Sequence, residues 1–308
     1  MTRQLAKRFI GAIATLVLVC FVAFVALQAT PGDAASALVG DSASTAQLET
    51  VRAQLGLDQP LLAQFAAFIG NALRGDLGHS LISNKPVTDL LLERMPCTIL
   101  LAFIATAIAF ILGMVIGIAA ALRAGTRTDT LLMSSAALGL AIPTFWSALV
   151  LMLIFSVRLR WLPLIGADSL TSFVLPSIAL ALPTAAAIAR LMRSSLLDVL
   201  RSDYVRTAHA KGLMPQHVPA HHIVRNSLVP VVTLLGLHLG HLLSGAFIVE
   251  TIFALPGLGR LIVQAIFDRD YPIVLGATLV IATMYIAINF IVDFAHGWLD
   301  PQVAHEAL

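Results

Sequence analysis

The chain reads as an all-α membrane protein with six transmembrane helices and both termini in the cytosol. Three observations carry that expectation. First, 58% of its 308 residues are hydrophobic and 12% are charged, about half the charge of an ordinary soluble domain; the mean hydropathy is +0.91. Second, six runs free of Asp, Glu, Lys and Arg (9–30, 98–122, 130–157, 169–189, 227–249 and 271–292) each supply the roughly 20 residues that cross a bilayer. A segment in hydrocarbon must satisfy its own backbone groups, so each run is expected to be helical. Third, the basic residues are unevenly placed. With the N-terminus inside, the inner segments carry Arg3, Lys7, Arg8, Arg123, Arg127, Arg190, Arg193, Arg201, Arg206, Lys211 and Arg225, while the short outer ones carry Arg158, Arg160, Arg260 and Arg269. Eleven against four places both termini in the cytosol.

Taken in order, residues 1–30 form an N-terminal span. Arg3, Lys7 and Arg8 precede it as they would a secretory signal, but the apolar stretch exceeds the 7–15 residues of a signal core, which favours a retained helix. Residues 31–97 are an extracytoplasmic segment too long for a turn. Asp58 and Pro60 suit a helix start, Leu61, Phe65, Phe68 and Ala72 recur at helical spacing, and Gly75 is a natural stop, predicting a helix at the outer interface. Residues 98–300 are the transmembrane core. Pro143 and Pro183 fall inside predicted spans and should kink them, either to line a pathway or only to shape a helix. The Pro256-Gly257 and Gly259-Arg260 elements mark a tight outer excursion with a short helix over 258–267. Cys20 and Cys97 lie in or beside apolar segments and read as buried thiols, with no metal or disulfide spacing.

Between the fourth and fifth runs lies a polar island from Asp203 to Pro230. It opens as a helix former, breaks at Gly212 and restarts after Pro215. An ordinary cytosolic connection and a loop that docks on a partner both fit that shape. Its residues narrow the choice. Tyr204-Val205-Arg206-Thr207-Ala208, Ala210-Lys211-Gly212-Leu213 and Arg225-Asn226-Ser227-Leu228-Val229-Pro230 resemble the coupling loop of ABC importer permeases, specifically the dipeptide, oligopeptide and nickel branch. The superfamily pattern is roughly Glu-Ala-Ala, three residues, Gly, a spacer, then an apolar residue and Pro. Here Arg206 and Thr207 replace Glu and the first Ala, Ala208 and Gly212 match, and the spacer to Pro230 is longer, as is usual in this branch. Leu55 to Leu61, Gly75 to Gly78, Arg94-Met95-Pro96, Glu250 to Arg260, Arg269 to Pro272 and Leu299-Asp300-Pro301 are similar to the same branch, so the likeness spans nearly the whole chain.

That resemblance implies an ABC type I importer permease fold with its cytosolic coupling loop in 195–228. It implies a permease subunit that is not itself an enzyme, moving di- or oligopeptides across the inner membrane, with nickel or a metal chelate as the alternative substrate. The implied partners are a second homologous permease, two ATPase subunits carrying ATP and Mg, and an extracytoplasmic substrate-binding protein. Arg206, Thr207, Ala208, Lys211, Gly212, Leu213, Arg225 and Pro230 would form the ATPase-coupling loop, Gly212 permitting a close turn and Arg206, Lys211 and Arg225 offering polar contacts.

Other classes fare less well. The net charge of +2 with dispersed basic residues gives no nucleic-acid footprint. No Walker-type loop, His-Glu-x-x-His or Gly-x-Ser-x-Gly occurs, so an intramembrane enzyme lacks its signatures, and a lone ion-coupled carrier leaves the coupling-loop likeness unexplained. The chain has no bound cofactor in this reading. His238 and His241 are three apart and share a helix face; they either contact a metal or hydrogen-bond across a helix interface. His209, His217, His221 and His222 read as surface or docking residues. Glu250 either faces a substrate vestibule or makes a structural ion pair.

Overall fold

The structure is a computed structural model that describes residues 2–29, 35, 39, 45–54, 56–202 and 220–299. In chain order these form α1 (Thr2–Ala29), α2 (Thr45–Gln54), α3 (Leu61–Ala72), α4 (Val87–Leu122), α5 (Arg127–Ala141) and α6 (Thr144–Leu151), which runs into a π-helical turn, Met152–Arg158. A 3-10 turn, Leu170–Phe173, leads into α7 (Val174–Leu200). Then follow α8 (Ala220–Gly245), α9 (Phe247–Ile252), α10 (Leu258–Phe267) and α11 (Tyr271–Leu299). Among the described residues there is no strand beyond an isolated bridge between His79 and Pro86.

Four stretches are long and apolar enough to cross a membrane: Phe9–Ala29, Val87–Leu122, Leu170–Leu200 and Tyr271–Val292. A fifth is formed if α5 and α6 with its π-helical extension count as one span, although they meet at 101°. Run 130–157 is therefore not a kinked helix but a broken one, and the cause is Pro143. Its ring disfavours helical geometry for the residue before it; Ile142 is extended at φ −79, ψ 123, so α5 stops at Ala141. Pro143 then accepts the first backbone bonds of α6, from the N–H groups of Trp146 and Ser147. Pro183 behaves differently, and α7 continues through it. Run 227–249 divides between α8 and α9 at Ala246, with its apolar helical stretch at Pro230–Gly240. Length and composition thus give four or five spans where the charge-free runs predict six.

The chain forms two compact units. The first comprises 1–98 and 256–286. In it α3 lies on α1: the Phe65 ring meets Phe21 edge-on at 5.1 Å and Phe24 at 5.7 Å, and Gln28 Nε2 donates to Gln64 Oε1 at 3.0 Å. Cys20 is buried in this cluster, as the sequence predicts. The opening turns of α4 pack Val87 and Leu91 against Leu258, Ala265, Ile273 and Ala277 of α10 and α11. The α10 helix matches the expected 258–267. Its N-cap, Gly257, has no side chain to offer, so the buried Leu258 N–H donates to Thr98 Oγ1 at 2.8 Å. Asp270, 1% exposed, accepts from Ser80 Oγ at 2.6 Å and Leu81 N at 3.2 Å, pinning the turn that precedes α4.

The second unit comprises 99–255 and 287–308, and α7 is its hub. Ala181, Ala185, Ile188, Met192 and Leu196 form its core with residues of α4 and α8. The approach of α4 is close because two of its residues have no side chain. A Cβ at Gly113 would lie 2.6 Å from Ile188 Cβ, and one at Gly117 would lie 2.7 Å from the Ala189 carbonyl. Small-residue packing of this kind is how apolar helices associate where lipid removes the hydrophobic drive.

Candidate functional site

Arg206, Thr207, Ala208, Lys211, Gly212 and Leu213 fall within 203–219, outside the described residues, as do His209 and His217. The structure describes what flanks them. On one side α7 ends at Leu200, with the Arg201 N–H donating to the Leu197 and Asp198 carbonyls. On the other, α8 begins at Ala220 and contains Arg225 and Pro230; Pro230 is half-buried and Val231 beside it fully buried.

The α7–α8 contact contains a polar pair. Thr184 Oγ1 and His238 Nδ1 lie 3.2 Å apart, with Thr184 buried and His238 half-buried. This is the hydrogen bond across a helix interface that the spacing of the histidines left open beside metal contact. His241 lies one turn further along α8. Among the described residues no group of three or more His, Cys, Asp or Glu side chains converges to hold a metal ion. Glu250, in the first turn of α9, is 0% exposed, and its carbonyl accepts from the Leu255 N–H at 2.8 Å. It is thereby placed in packing and not on an open surface.

A second polar contact was not legible in the sequence. Arg193 on α7 grips Asp129 with two parallel bonds, Nε to Oδ1 and Nη2 to Oδ2, both 2.6 Å. Asp129 is 4% exposed, and its Oδ2 also accepts from the Gly125 N–H at 3.0 Å. The local sequence explains its position. Gly125 adopts φ +78, open to glycine without strain, which closes a tight turn after α4. Thr126 then caps α5, accepting from Asp129 N at 3.4 Å. Asp129 therefore sits in the first turn of α5, aimed across at α7. A bidentate, charge-assisted pair with a third donor is among the strong and directional polar contacts a protein makes.

In the first unit, three of the sequence motifs converge around a cavity of about 500 Å³. Gly56 and Leu57, Asp76 to Gly78, and Tyr271 with Pro272 line it together with the last turns of α1. The Gly78 site lies against Pro272, 3.8 Å from a Cβ built there. These stretches, far apart in sequence, are therefore one structural assembly.

Comparison with known proteins identifies the architecture. Residues 113–305 match the family described as binding-protein-dependent transport system inner membrane component, and residues 1–102 match the N-terminal membrane component of the same systems. The chain is 41% identical over 306 residues, 99% of its length and 100% of theirs, to the glutathione transport system permease protein GsiC of Escherichia coli K12 and of Salmonella paratyphi A. Among solved structures it is similar to the MetNI methionine ABC transporter in an inward-facing conformation, with TM-score 0.57 and 18% identity over 68% of this chain and 96% of that one. It is also similar to an amino acid ABC transporter with histidines, with TM-score 0.54 and 17% identity over 68% and 94%. These distant structures share the fold, and the full-length relatives fix the lineage. The chain belongs to the binding-protein-dependent transport system inner membrane component family and is a multi-pass inner-membrane permease subunit of an ABC importer.

Proposed function

We propose that this chain is one of two permease subunits that together import glutathione or closely related small peptides. The observation that carries the substrate is whole-chain identity of 41% to permeases named for glutathione transport. Two ATPase subunits hydrolyse ATP with Mg, and an extracytoplasmic binding protein delivers and selects the substrate. The chain crosses the membrane six times with both termini in the cytosol; the eleven-to-four distribution of basic residues supports that orientation. Run 227–249 and the broken pair α5–α6 supply the spans beyond the four long helices.

Residues 206–213, with Arg225 and Pro230, dock on the ATPases. Closure of the ATPases around ATP draws the loops together and tilts the membrane helices, opening the path alternately outward and inward. His238, His241 and Glu250 act as packing residues of the moving helices.

The test is paired uptake of labelled glutathione, a labelled dipeptide and labelled nickel, in cells with and without this gene and with the gene restored. Loss and restoration of glutathione uptake is the expected result. Loss confined to the dipeptide moves the substrate to the di- and oligopeptide class. Loss confined to nickel overturns the peptide reading and makes His238 and His241 the first residues to mutate.

A further inference from the structure

We propose that Asp129 and Arg193 are positioning residues that make the α4–α5 turn and the end of α7 move as one body, so that force entering at the coupling loop reaches both. The inference rests on the coupling role proposed above for 206–213. Its geometry lies entirely in one unit of the chain. Arg193 stands seven residues before the end of α7, about 10 Å or two turns along the helix, and the next segment of the chain is the coupling loop.

Apart from the Thr184–His238 bond to α8, the rest of α7 is held by contacts of another kind. Gly113 and Gly117 meet Ile188 and Ala189, and Gly139 lies against Ala186. Such apolar, small-residue surfaces attract without direction and tolerate the sliding of one helix past another. The Asp129–Arg193 pair does not. Two 2.6 Å bonds in a fork, with Gly125 N–H as a third donor, fix the distance and the rotation between the two elements. The anchor on the α5 side is itself rigid. Thr126 Oγ1 donates to the Arg123 carbonyl at 2.6 Å and the Thr126 N–H donates there at 3.1 Å, so Asp129 cannot shift without breaking the turn. A tilt of α7 thus carries the inner end of α4 and the start of α5 with it. Without the pair, the apolar contacts still assemble the bundle but let α7 slip.

The experiment uses the whole importer in proteoliposomes and reads ATP hydrolysed per labelled glutathione imported. Asp129→Asn and Arg193→Gln are each expected to raise that ratio at least about tenfold, within the range of ordinary coupling interactions. The double variant should match the singles, and Arg193→Lys, which keeps the charge and loses the fork, should fall between. A second readout places spin labels on Thr128→Cys and Asp198→Cys, both exposed positions, after Cys20 and Cys97 are replaced. The wild-type distance should stay one narrow population with and without trapped ATP, and Asp129→Asn should split or shift it on trapping. An unchanged ratio, with uptake and hydrolysis falling in step with assembled complex, would overturn the proposal, as would a fixed spin-label distance in Asp129→Asn. Gly212→Asp run in parallel separates the two readings: if it fails to block uptake, the coupling loop is misassigned, whereas its success beside an unaltered Asp129→Asn sinks only the tie. Absence of any glutathione uptake removes the substrate assignment and leaves the spin-label distances to decide.

Discussion

At the scale of single residues, this molecule is fixed by polar groups that find partners far away in sequence. Thr98 caps α10 from 160 residues away, Asp270 holds Ser80 from 190 away, and Arg193 holds Asp129 from 64 away. Each satisfies a buried group that would otherwise be left without water. The cost of breaking such a contact is the desolvation of the partner left behind. Thr98→Val keeps the shape and removes the oxygen, stranding the Leu258 N–H, which is 0% exposed. It should lower stability by about 1–3 kcal/mol, read as a drop in the thermal midpoint of the purified protein, while Thr98→Ser should stay close to wild type. Equal midpoints for the two variants would show that Thr98 acts by packing alone. None of these pairs could be read from sequence, because neither helical periodicity nor a turn signal links residues so far apart. Thr184 and His238 are an instructive intermediate. His238 marked itself as polar in an apolar run, but its partner is a threonine on another helix, with no signal of its own in the sequence.

At the scale of elements, most of the chain was legible where a local signal sets a boundary. Proline, glycine and charge placed α3 between Pro60 and Gly75, where it runs from Leu61 to Ala72, and placed α10 at Leu258–Phe267, its observed bounds. Pro143 and Pro183 look alike in sequence and differ in outcome. Before Pro143 the chain turns by 101°, whereas α7 continues through Pro183 because the packing of a hub helix on several sides outweighs one missing bond. Local chemistry therefore locates a proline's weak point, and tertiary packing decides whether the helix breaks there. Glycines divide in the same way. Gly113→Val pushes a side chain into Ile188 and the Ala185 carbonyl, and overpacking of this kind typically costs about 1–3 kcal/mol. Gly70, in α3, has nothing within 4 Å of a built Cβ, so Gly70→Ala should be neutral or stabilising by up to about 1 kcal/mol through helix propensity. Thermal midpoints of the two variants, measured side by side, should move in opposite directions or differ clearly in size; equal shifts would mean that the α4–α7 approach does not constrain the fold.

At the scale of the whole molecule, function follows from where a permease lets an external motor pull. The two flanks of the proposed coupling segment are held unlike one another. On the α7 side, buried packing and the Asp129–Arg193 fork carry the helix to Leu200; on the α8 side, Pro230 and the buried Val231 mark where the chain returns to apolar packing. In the proposed role, residues 206–213 transmit a displacement from the ATPases, and their part is to shape and contact, not to react. Gly212 is the most sensitive of them in the proposed role. A docked turn that needs a residue without Cβ cannot accept a carboxylate, and a negative charge would also meet the neighbouring Lys211 instead of the ATPase groove. Gly212→Asp should therefore insert in the membrane at wild-type level and leave the thermal midpoint of the bundle in place. Substrate-stimulated ATP hydrolysis and uptake should both fall to background, because the motor no longer feels the permease. Measured together, expression, thermal midpoint, hydrolysis and uptake separate loss of the link from loss of the protein. A Gly212→Asp importer that transports normally would move the coupling surface elsewhere on the chain and would leave the fork between Asp129 and Arg193 as a contact of the fold alone.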